Sequence, residues 1–191
     1  FGVAIVPTSW RRGMKREEVQ ALLALFSGNE IVVKPVIGAS AGDTFRLSAE
    51  TIDGMENELH TLFRDRDYMV QPFMRSIVEE GEFSIFYFNG DYSHAVLKSP
   101  QTNDFRVQEE HGGEIVPVRP PGECLQIGAS ILREIQPTPL YARVDLVRDD
   151  SGGFLLMELE LIEPALYFRT DEYSADRFAA AFEKWSKTSQ Q

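Results

Sequence analysis

Two β-rich runs joined by Asn89-Gly90 place the strongest constraint on how this chain can fold. The runs cover residues 82–88 and 92–98. Asn-Gly tolerates the positive φ angles of a two-residue turn, so the sequence predicts an antiparallel hairpin here. A second strand pair is predicted over 140–147 and 153–161, around a turn at 149–153. We therefore expect the second half of the chain to be built on an antiparallel sheet.

The first half combines helical periodicity with short strands. Its apolar spacing predicts an amphipathic helix over 16–27, ended by Gly28, and a second helix that begins at Ser48 and runs to Phe63. The β-branched runs at 31–35 and 67–73 are predicted strands. The overall prediction is an α+β fold with one subdomain over residues 1–75 and another over 76–191.

A long connection separates the hairpin from the second strand pair. Residues 99–121 hold four prolines and the pair Gly112-Gly113, so they are predicted to be mostly loop, with a short strand near 105–108. Helices are predicted over about 125–135 and from Ser174 onward. Long loops often carry function.

Composition excludes several classes of protein. With 191 residues, a net charge of −11 and a pI near 4.8, the chain is a poor match for nucleic acid or an anionic membrane. Its single cysteine, Cys124, excludes an internal disulfide and fits a reducing cytoplasm. The chain starts on Phe1 within a strand-like run, and we expect it to be a piece of a longer protein.

Lys34 is the first candidate for chemistry. It lies in an otherwise apolar strand, just before a turn that contains Gly38, Ser40 and Gly42. Small turn residues let backbone N–H groups approach a phosphate chain, and lysine adds a positive charge for the same anion. The P-loop patterns GxxxxGKS and GxxxxGKT are absent. A strand-edge lysine before an ordinary flexible turn explains the same residues, and both interpretations stay open.

Three carboxylates lie in the second predicted strand pair. Glu158 and Glu160 are two apart, so they point to one face of their strand, where Asp145 of the adjoining strand can join them. Their repulsion inside apolar strands is costly unless a hard cation binds, and Mg²⁺ favours such oxygen ligands. The alternative is a solvated strand face with Leu159 and Leu161 turned inward.

Three cations lie in or near strand-like sequence around the long connection: Lys98, Arg106 and Arg143. In an acidic chain such side chains can neutralise a phosphate or a substrate carboxylate. They can equally form structural ion pairs with the many glutamates. The three histidines have no ligand spacing, and Cys124 on a predicted helix indicates a core position.

In this order, the clusters resemble the ATP-grasp superfamily, and in particular its glutathione-synthetase-like members. IVVKP followed by GASAGDT is similar to the family's phosphate-binding strand and mobile loop. YMVQPFMRSIVEEGEFSIFYFNGDYSHAVLK resembles its hinge and hairpin, and YARVDLV with FLLMELELIEP resembles its metal-binding strands. The runs EEGEFS, DFRVQEEHGG and MELELIEP also resemble the cyclo-ligases of cycloserine biosynthesis.

The resemblance implies a nucleotide site and a catalytic metal site. Matching the family's motifs gives these nucleotide contacts: Lys34 on the α- and β-phosphates; Gly38, Ser40 and Gly42 over the triphosphate; Gln71, Pro72, Phe73 and Met74 around adenine; and Glu82 on the ribose hydroxyls. The same match gives the catalytic cations Lys98, Arg106 and Arg143 and the metal ligands Asp145, Glu158 and Glu160. Relatives commonly carry Glu-x-Asn where this chain has Glu158-x-Glu160, which keeps a metal site and makes it more negative.

By this resemblance the chain is expected to be the ATP-binding part of a ligase in which two ATP-grasp subdomains clamp ATP and Mg²⁺. The family's N-terminal substrate domain is expected to lie outside this sequence, so the chain alone would bind nucleotide without turnover. The enzyme would convert a small carboxylate, such as an amino acid or peptide, into an acyl-phosphate that an amine attacks to form a carbon–nitrogen bond.

Three alternatives remain at this point: a cyclo-ligase that closes a ring in a small amino-acid derivative, a non-catalytic ATP-binding module, and a kinase-like phosphotransferase. We expect a cytoplasmic protein with no nucleic-acid or membrane partner. The resemblance is compatible with a homo-oligomer.

Overall fold

The computed structural model describes residues 2–26, 29–102 and 104–188, which form an α+β fold with two antiparallel sheets, as the sequence predicts. These residues divide into two compact units. One unit spans Val6–Arg75, and the other contains the chain from Ser76 onward together with the segment up to Ile5. Within the described part, none of the helices combines the length and the apolar character that crossing a bilayer requires.

The Val6–Arg75 unit is built on a four-stranded sheet. Its strands are β1 (Ser9–Arg12), β2 (Glu30–Pro35), β3 (Phe45–Ser48) and β4 (Asp67–Pro72), in the order β1-β4-β2-β3. Side chains alternate between the two faces of each strand, so one face is apolar. That face packs against helix α1 (Glu56–Phe63) and the preceding turns, with a core that includes Val19, Leu22, Ile31, Val33, Leu59, Phe63, Tyr68 and Val70.

Two predicted helices in this unit have different bounds in the structure. Up to residue 26, the predicted helix over 16–27 is a pair of 3₁₀ helices, Arg16–Glu18 and Gln20–Leu25, while Ser27 and Gly28 lie outside the described residues. The apolar spacing misled the prediction because a 3₁₀ helix also places residues three apart on one side. The second helix begins at Glu56 instead of Ser48, since Gly54 has φ +87°, which interrupts a right-handed helix.

The second unit is built on a five-stranded sheet. Its strands are β5 (Glu82–Phe88), β6 (Asp91–Ser99), β7 (Glu114–Pro117), β8 (Tyr141–Arg148) and β9 (Phe154–Glu160), in the order β7-β6-β5-β8-β9. Among the described residues, three α-helices accompany the sheet, α2 (Ser76–Glu79), α3 (Gly122–Arg133) and α4 (Ser174–Thr188), together with the 3₁₀ helices Glu109–His111 and Phe168–Thr170. The apolar face of the sheet packs against α3 around Ile85, Tyr87, Val144 and Leu146.

The predicted hairpin is confirmed. Asn89 and Gly90 both have positive φ, 48° and 85°, and connect antiparallel β5 and β6.

The predicted strand near 105–108 is wrong, because the Asp104 carboxylate accepts hydrogen bonds from the backbone N–H groups of Phe105 and Arg106 and holds them in a turn. The short strand of this connection is β7, which pairs with the end of β6.

The contact between α3 and β5 depends on a glycine. A Cβ at Gly128 would lie 2.2 Å from the phenol oxygen of Tyr87, which is buried. We expect Gly128→Ala to lower the free energy of unfolding by about 1–2 kcal/mol, because overpacking outweighs the gain of about 1 kcal/mol in helix propensity. Gly122→Ala in the same helix meets no atom within 4 Å and serves as the control. Urea denaturation of both variants measures the difference, and equal stabilities would contradict the packing argument.

Candidate functional site

Charged side chains converge on the second face of the five-stranded sheet. On β5, Glu82 pairs in register with Lys98 of β6, and Ser84 pairs with Asp145 of β8. Across β8 and β9, Asp145 faces Glu158, and Arg143 faces Glu160. Because these positions share one face of adjoining strands, their side chains meet. We call the following six residues the charged cluster: Glu82, Lys98, Arg143, Asp145, Glu158 and Glu160.

Asp145 lies at the centre of the ion pairs in the charged cluster. The Nζ of Lys98 lies 2.5 Å from Oε1 of Glu82 and 3.3 Å from Oδ2 of Asp145. Arg143 donates from Nε to both carboxylate oxygens of Asp145 at 3.0 Å and from Nη2 to Oδ2 at 2.9 Å. Its Nη2 also donates to Glu160. Asp145 is fully buried and Lys98 is 3% exposed, so water does little to screen these charges.

Burial and neighbouring charges shift the pKa values of three carboxylates in the charged cluster. Burial raises the pKa of Glu82, and Lys98 offsets this effect only in part. At Asp145 burial acts in the same direction, but the positive charges of Lys98 and Arg143 prevail and lower its pKa. Burial, together with the nearby charges of Glu158 and Asp145, raises the pKa of Glu160 to about 7 although Arg143 opposes it. The environment therefore favours a further positive charge beside Glu160.

Three members of the charged cluster have the chemistry of a magnesium site. One carboxylate oxygen from each of Asp145, Glu158 and Glu160 lies within 4.8 Å of the others. We call these residues the carboxylate trio. Asp145 is buried, Glu160 is half-buried and Glu158 is exposed, so the trio is open on one side. Hard oxygen donors under like-charge repulsion fit a Mg²⁺ ion that keeps part of its water shell.

Ser84 is a residue of this site that the sequence did not reveal. It is fully buried, it pairs in register with Asp145, and among the described residues its Oγ has no partner with hydrogen-bond geometry. A buried hydroxyl beside a buried carboxylate can orient that carboxylate. The two-residue period from Glu82 through Ser84 to Phe86 is the sequence signal that places Ser84 on the charged face.

The same sheet face becomes aromatic beyond Arg143. The ring of His94 stacks on Phe86 with 4.4 Å between ring centroids, and Tyr167 meets Phe86 edge-on at 6.1 Å. His94 Nε2 donates to the carbonyl of Leu166 at 2.9 Å, which fastens the segment after β9 to the sheet. Tyr167 itself has φ +44°, an uncommon conformation for an aromatic residue. Leu166 and Tyr167 therefore lie against this face of the sheet.

The contacts of His94 predict a pH dependence of stability. Burial lowers the pKa of His94, so the folded protein favours the neutral ring. Stability from this group is complete above the unfolded pKa of about 6.5 and is lost as pH falls through the lower folded value. We expect the free energy of unfolding to fall below about pH 6.5 more steeply in the wild type than in His94→Gln, whose amide can still donate to Leu166. Urea denaturation between pH 5 and 8 tests this, and identical slopes would refute it.

Arg106 lies apart from the other predicted catalytic cations. Its guanidinium makes a two-pronged contact with Asp104, with Nη2 2.8 Å from Oδ2, and this contact lowers the pKa of Asp104. The loop is tight nearby, because a Cβ at Gly113 would lie 2.1 Å from the carbonyl oxygen of Val107. The structure thus brings together Lys98 and Arg143 but gives Arg106 a local partner.

The predicted nucleotide residues before Ser76 lie in the Val6–Arg75 unit. Lys34 is half-buried on β2 and pairs in register with Met69 of β4. In the turn after β2 the positive φ angles fall on Ser40, Ala41 and Asp43, so the glycines there provide small size rather than unusual backbone angles. This turn, at residues 38–44, is a loop as predicted.

The predicted adenine residues surround the end of β4. Gln71 is buried and donates to Thr8 Oγ1 at 2.9 Å, and the Arg46 guanidinium lies 3.8 Å over the ring of Phe73. Pro72 ends β4 and Met74 follows it. The bond to Thr8 uses one N–H of the Gln71 amide and holds this side chain within the unit.

Comparisons with known proteins give the fold. No family model matches the sequence. The cycloserine biosynthesis protein DcsG of Streptomyces lavendulae is 30% identical over 172 residues, which are 84% of this chain and 56% of that protein. The crystal structure of D-cycloserine synthetase DcsG has a TM-score of 0.83 and 25% identity, and the match covers 96% of this chain and 65% of that one.

Two more distant structures share the fold. D-alanine–D-alanine ligase from Bacillus anthracis, solved with ATP, has a TM-score of 0.61 and 17% identity, with 95% of this chain and 59% of that chain covered. The ATP-grasp ligase PsnB, solved with a minimal precursor, Mg and ADP, has a TM-score of 0.61 and 14% identity, with 95% and 55% covered.

The chain therefore has the ATP-grasp fold. The order of its motifs, which resembles that of the ATP-grasp superfamily, agrees with this fold. It spans about half the length of the curated relative from Streptomyces lavendulae.

Proposed function

We propose that this chain is the ATP- and magnesium-binding part of an ATP-dependent ligase. The enzyme would activate a small carboxylate, such as an amino acid or peptide, for carbon–nitrogen bond formation. The observation that carries the proposal is the charged cluster, where the carboxylate trio lies beside the cations Lys98 and Arg143 on one sheet face. Relatives solved with ATP, or with Mg and ADP, support the assignment of ATP and Mg²⁺ as the bound groups.

The proposed reaction has two steps, activation of the carboxylate and attack by the amine. A substrate carboxylate oxygen attacks the γ-phosphorus of ATP, the bond to the bridging oxygen breaks, and ADP leaves. The amine nitrogen then attacks the acyl carbon, phosphate leaves, and the nitrogen loses a proton. Both steps can be catalysed by positioning and charge without a side-chain nucleophile.

The roles of the residues follow from their positions. Asp145, Glu158 and Glu160 would hold Mg²⁺, and Lys98 and Arg143 would offset the charge that develops on phosphate oxygens. Bound there, the metal would supply a Lewis acid for the phosphate oxygens. Lys34 with the turn at 38–44, the segment 71–74, and Glu82 are proposed as nucleotide contacts, and Arg106 as a substrate contact. Glu82 already pairs with Lys98, so a contact with ribose would have to share that carboxylate.

Lys34 offers a direct test of the proposed nucleotide site. We expect Lys34→Met to weaken ATP binding by about 1.5–3 kcal/mol, the cost of a lost hydrogen bond to a charged group. Lys15→Met, at an exposed lysine that pairs with Glu18, is the control. Calorimetry measures both affinities. Unchanged ATP affinity in Lys34→Met would remove this residue from the site.

Ring closure is a second candidate for the activity. The 30% identity to a cycloserine biosynthesis protein favours a cyclo-ligase, in which the attacking amine belongs to the activated molecule itself. A panel of amino acids, dipeptides and hydroxylated ureas, tested on the protein with all residues that its gene encodes, separates the candidates. ADP release with a linear product supports the ligase, and a product one water lighter than its single substrate supports the cyclo-ligase. ATP binding without ADP release would indicate a non-catalytic module, and phosphate retained on the acceptor a phosphotransferase.

The cellular location and the partners of the protein are also proposals. A single cysteine and chemistry that depends on ATP support a reducing, cytoplasmic location. Small substrates and the net charge of −11 support partners other than nucleic acid or membranes. Self-association into a homo-oligomer stays a prediction.

A further inference from the structure

Arg143 binds the carboxylates that would hold the metal. Its guanidinium contacts both oxygens of Asp145 at 3.0 Å and also donates to Glu160. Two of the three carboxylates of the trio are therefore engaged by one side chain. A metal ion drawn to the same carboxylates competes with these hydrogen bonds for carboxylate lone pairs.

Displacing Arg143 is costly unless another anion receives it. Arg143 is 7% exposed, and burial together with loss of its partners would leave an unpaired guanidinium away from water. Guanidinium cannot give up its proton to relieve that cost. Phosphate is the anion that best replaces a carboxylate, since its oxygens match the same two-pronged geometry.

The charge balance favours such an exchange. The charged cluster holds four carboxylates and two cations, so two negative charges are left uncompensated when all are ionised. One divalent cation would neutralise them. Because a divalent cation carries twice the charge of Arg143, it can replace Arg143 at Asp145 and Glu160 and leave the guanidinium to an incoming phosphate group.

We propose that Arg143 couples metal binding to nucleotide binding. It holds Asp145 and Glu160 in the absence of ligands and passes to a nucleotide phosphate when Mg²⁺ takes the carboxylate trio. This inference rests on the proposed function, because it assumes that both Mg²⁺ and ATP bind this chain. Mg²⁺ alone then binds weakly, since it competes with Arg143, and each ligand strengthens the other beyond their direct contact.

Calorimetry on wild type, Arg143→Gln and Arg143→Lys tests the proposal. Mg²⁺ is titrated with and without the non-hydrolysable nucleotide AMPPNP, and the ratio of the two Mg²⁺ dissociation constants is the coupling factor. Arg148→Gln is the matched control, because Arg148 makes an equivalent two-pronged contact with Glu80 outside the charged cluster. Thermal melts check that each variant folds, and Arg143→Lys preserves the test if Arg143→Gln does not fold, since lysine keeps the charge but not the two-pronged contact.

Both Arg143 variants are expected to bind Mg²⁺ alone more tightly than the wild type. The coupling factor of Arg143→Gln should fall by about 5- to 50-fold, within the usual range of linkage between two sites. Arg148→Gln should keep the wild-type values. If Arg143 merely supported the fold, its replacement would weaken Mg²⁺ binding. A gain in Mg²⁺ affinity is therefore expected only if Arg143 competes with Mg²⁺ for the carboxylates.

The experiment distinguishes failure of the coupling role of Arg143 from failure of the proposed function. If wild type binds both Mg²⁺ and AMPPNP but the folded Arg143 variants show unchanged or weaker binding of Mg²⁺ alone, the coupling role of Arg143 is wrong and the proposed function stands. If wild type binds neither ligand, the proposed function itself is wrong.

Discussion

Replacing Asp145 with asparagine is expected to lower the free energy of unfolding by about 3 kcal/mol. Breaking a buried ion pair costs about 3–5 kcal/mol because a charge is left without its partner. Asp145 is fully buried and pairs with both Lys98 and Arg143. The lower end of the range applies, since Glu82 and Glu160 remain to pair with these cations. Urea denaturation at pH 8 in the absence of divalent metal measures the loss.

Glu158→Gln changes a proposed metal ligand without breaking the buried ion pairs of the charged cluster. Glu158 belongs to the same carboxylate trio but is exposed, so its replacement should change stability by no more than about 0.5 kcal/mol. Both variants should lose the stabilisation by Mg²⁺ that the proposed metal site predicts. Equal stability of Asp145→Asn and Glu158→Gln would show that the buried ion pairs do not support this sheet face.

Lys98→Met is expected to cost about 3 kcal/mol at pH 8, and the loss should shrink on acidification. The substitution leaves the buried carboxylate of Glu82 without its cation. Burial already raises the pKa of Glu82, and removal of Lys98, which lowers that pKa, raises it further. A carboxyl group whose pKa is higher in the folded than in the unfolded protein lowers the free energy of unfolding while it is ionised. This loss disappears when the group is protonated. The difference in unfolding free energy between wild type and Lys98→Met should therefore be smaller at pH 5 than at pH 8.

Asp145→Asn is the control for this pH effect. In this variant Arg143 has lost its contact with Asp145, and its guanidinium cannot lose a proton. The stability deficit of Asp145→Asn should therefore not shrink at pH 5. Denaturation of both variants across pH 5–8 compares the two. Parallel curves for Lys98→Met and wild type would contradict the protonation of Glu82.

Local sequence chemistry predicted the parts of the fold that depend on a few neighbouring residues. Asn89-Gly90 defines its own turn type, so the hairpin and its strand pairing followed directly. The grouping of Asp145 with Glu158 and Glu160 followed from the two-residue period of β9 and from the adjacency of β8. The roles of these residues are still proposals.

Other features depend on contacts that the sequence does not display. The predicted start of the second helix at Ser48 was wrong because Gly54 interrupts it, and the apolar residues before Gly54 pack from turns instead. The pairing of Arg106 with Asp104 competes with any substrate role for Arg106. The contacts of Tyr167 and His94 join positions more than seventy residues apart, so a local pattern could not predict them.

Titration of this chain with ATP, in magnesium and in EDTA, measures whether it binds nucleotide together with a metal ion. We predict measurable ATP binding in magnesium, much weaker binding in EDTA, and loss of the magnesium effect in Glu158→Gln, whose substitution lies on an exposed side chain. ATP affinity that is the same in magnesium and EDTA would contradict the metal site. The absence of ATP binding under both conditions would contradict the assignment of the chain as a nucleotide-binding part of a ligase.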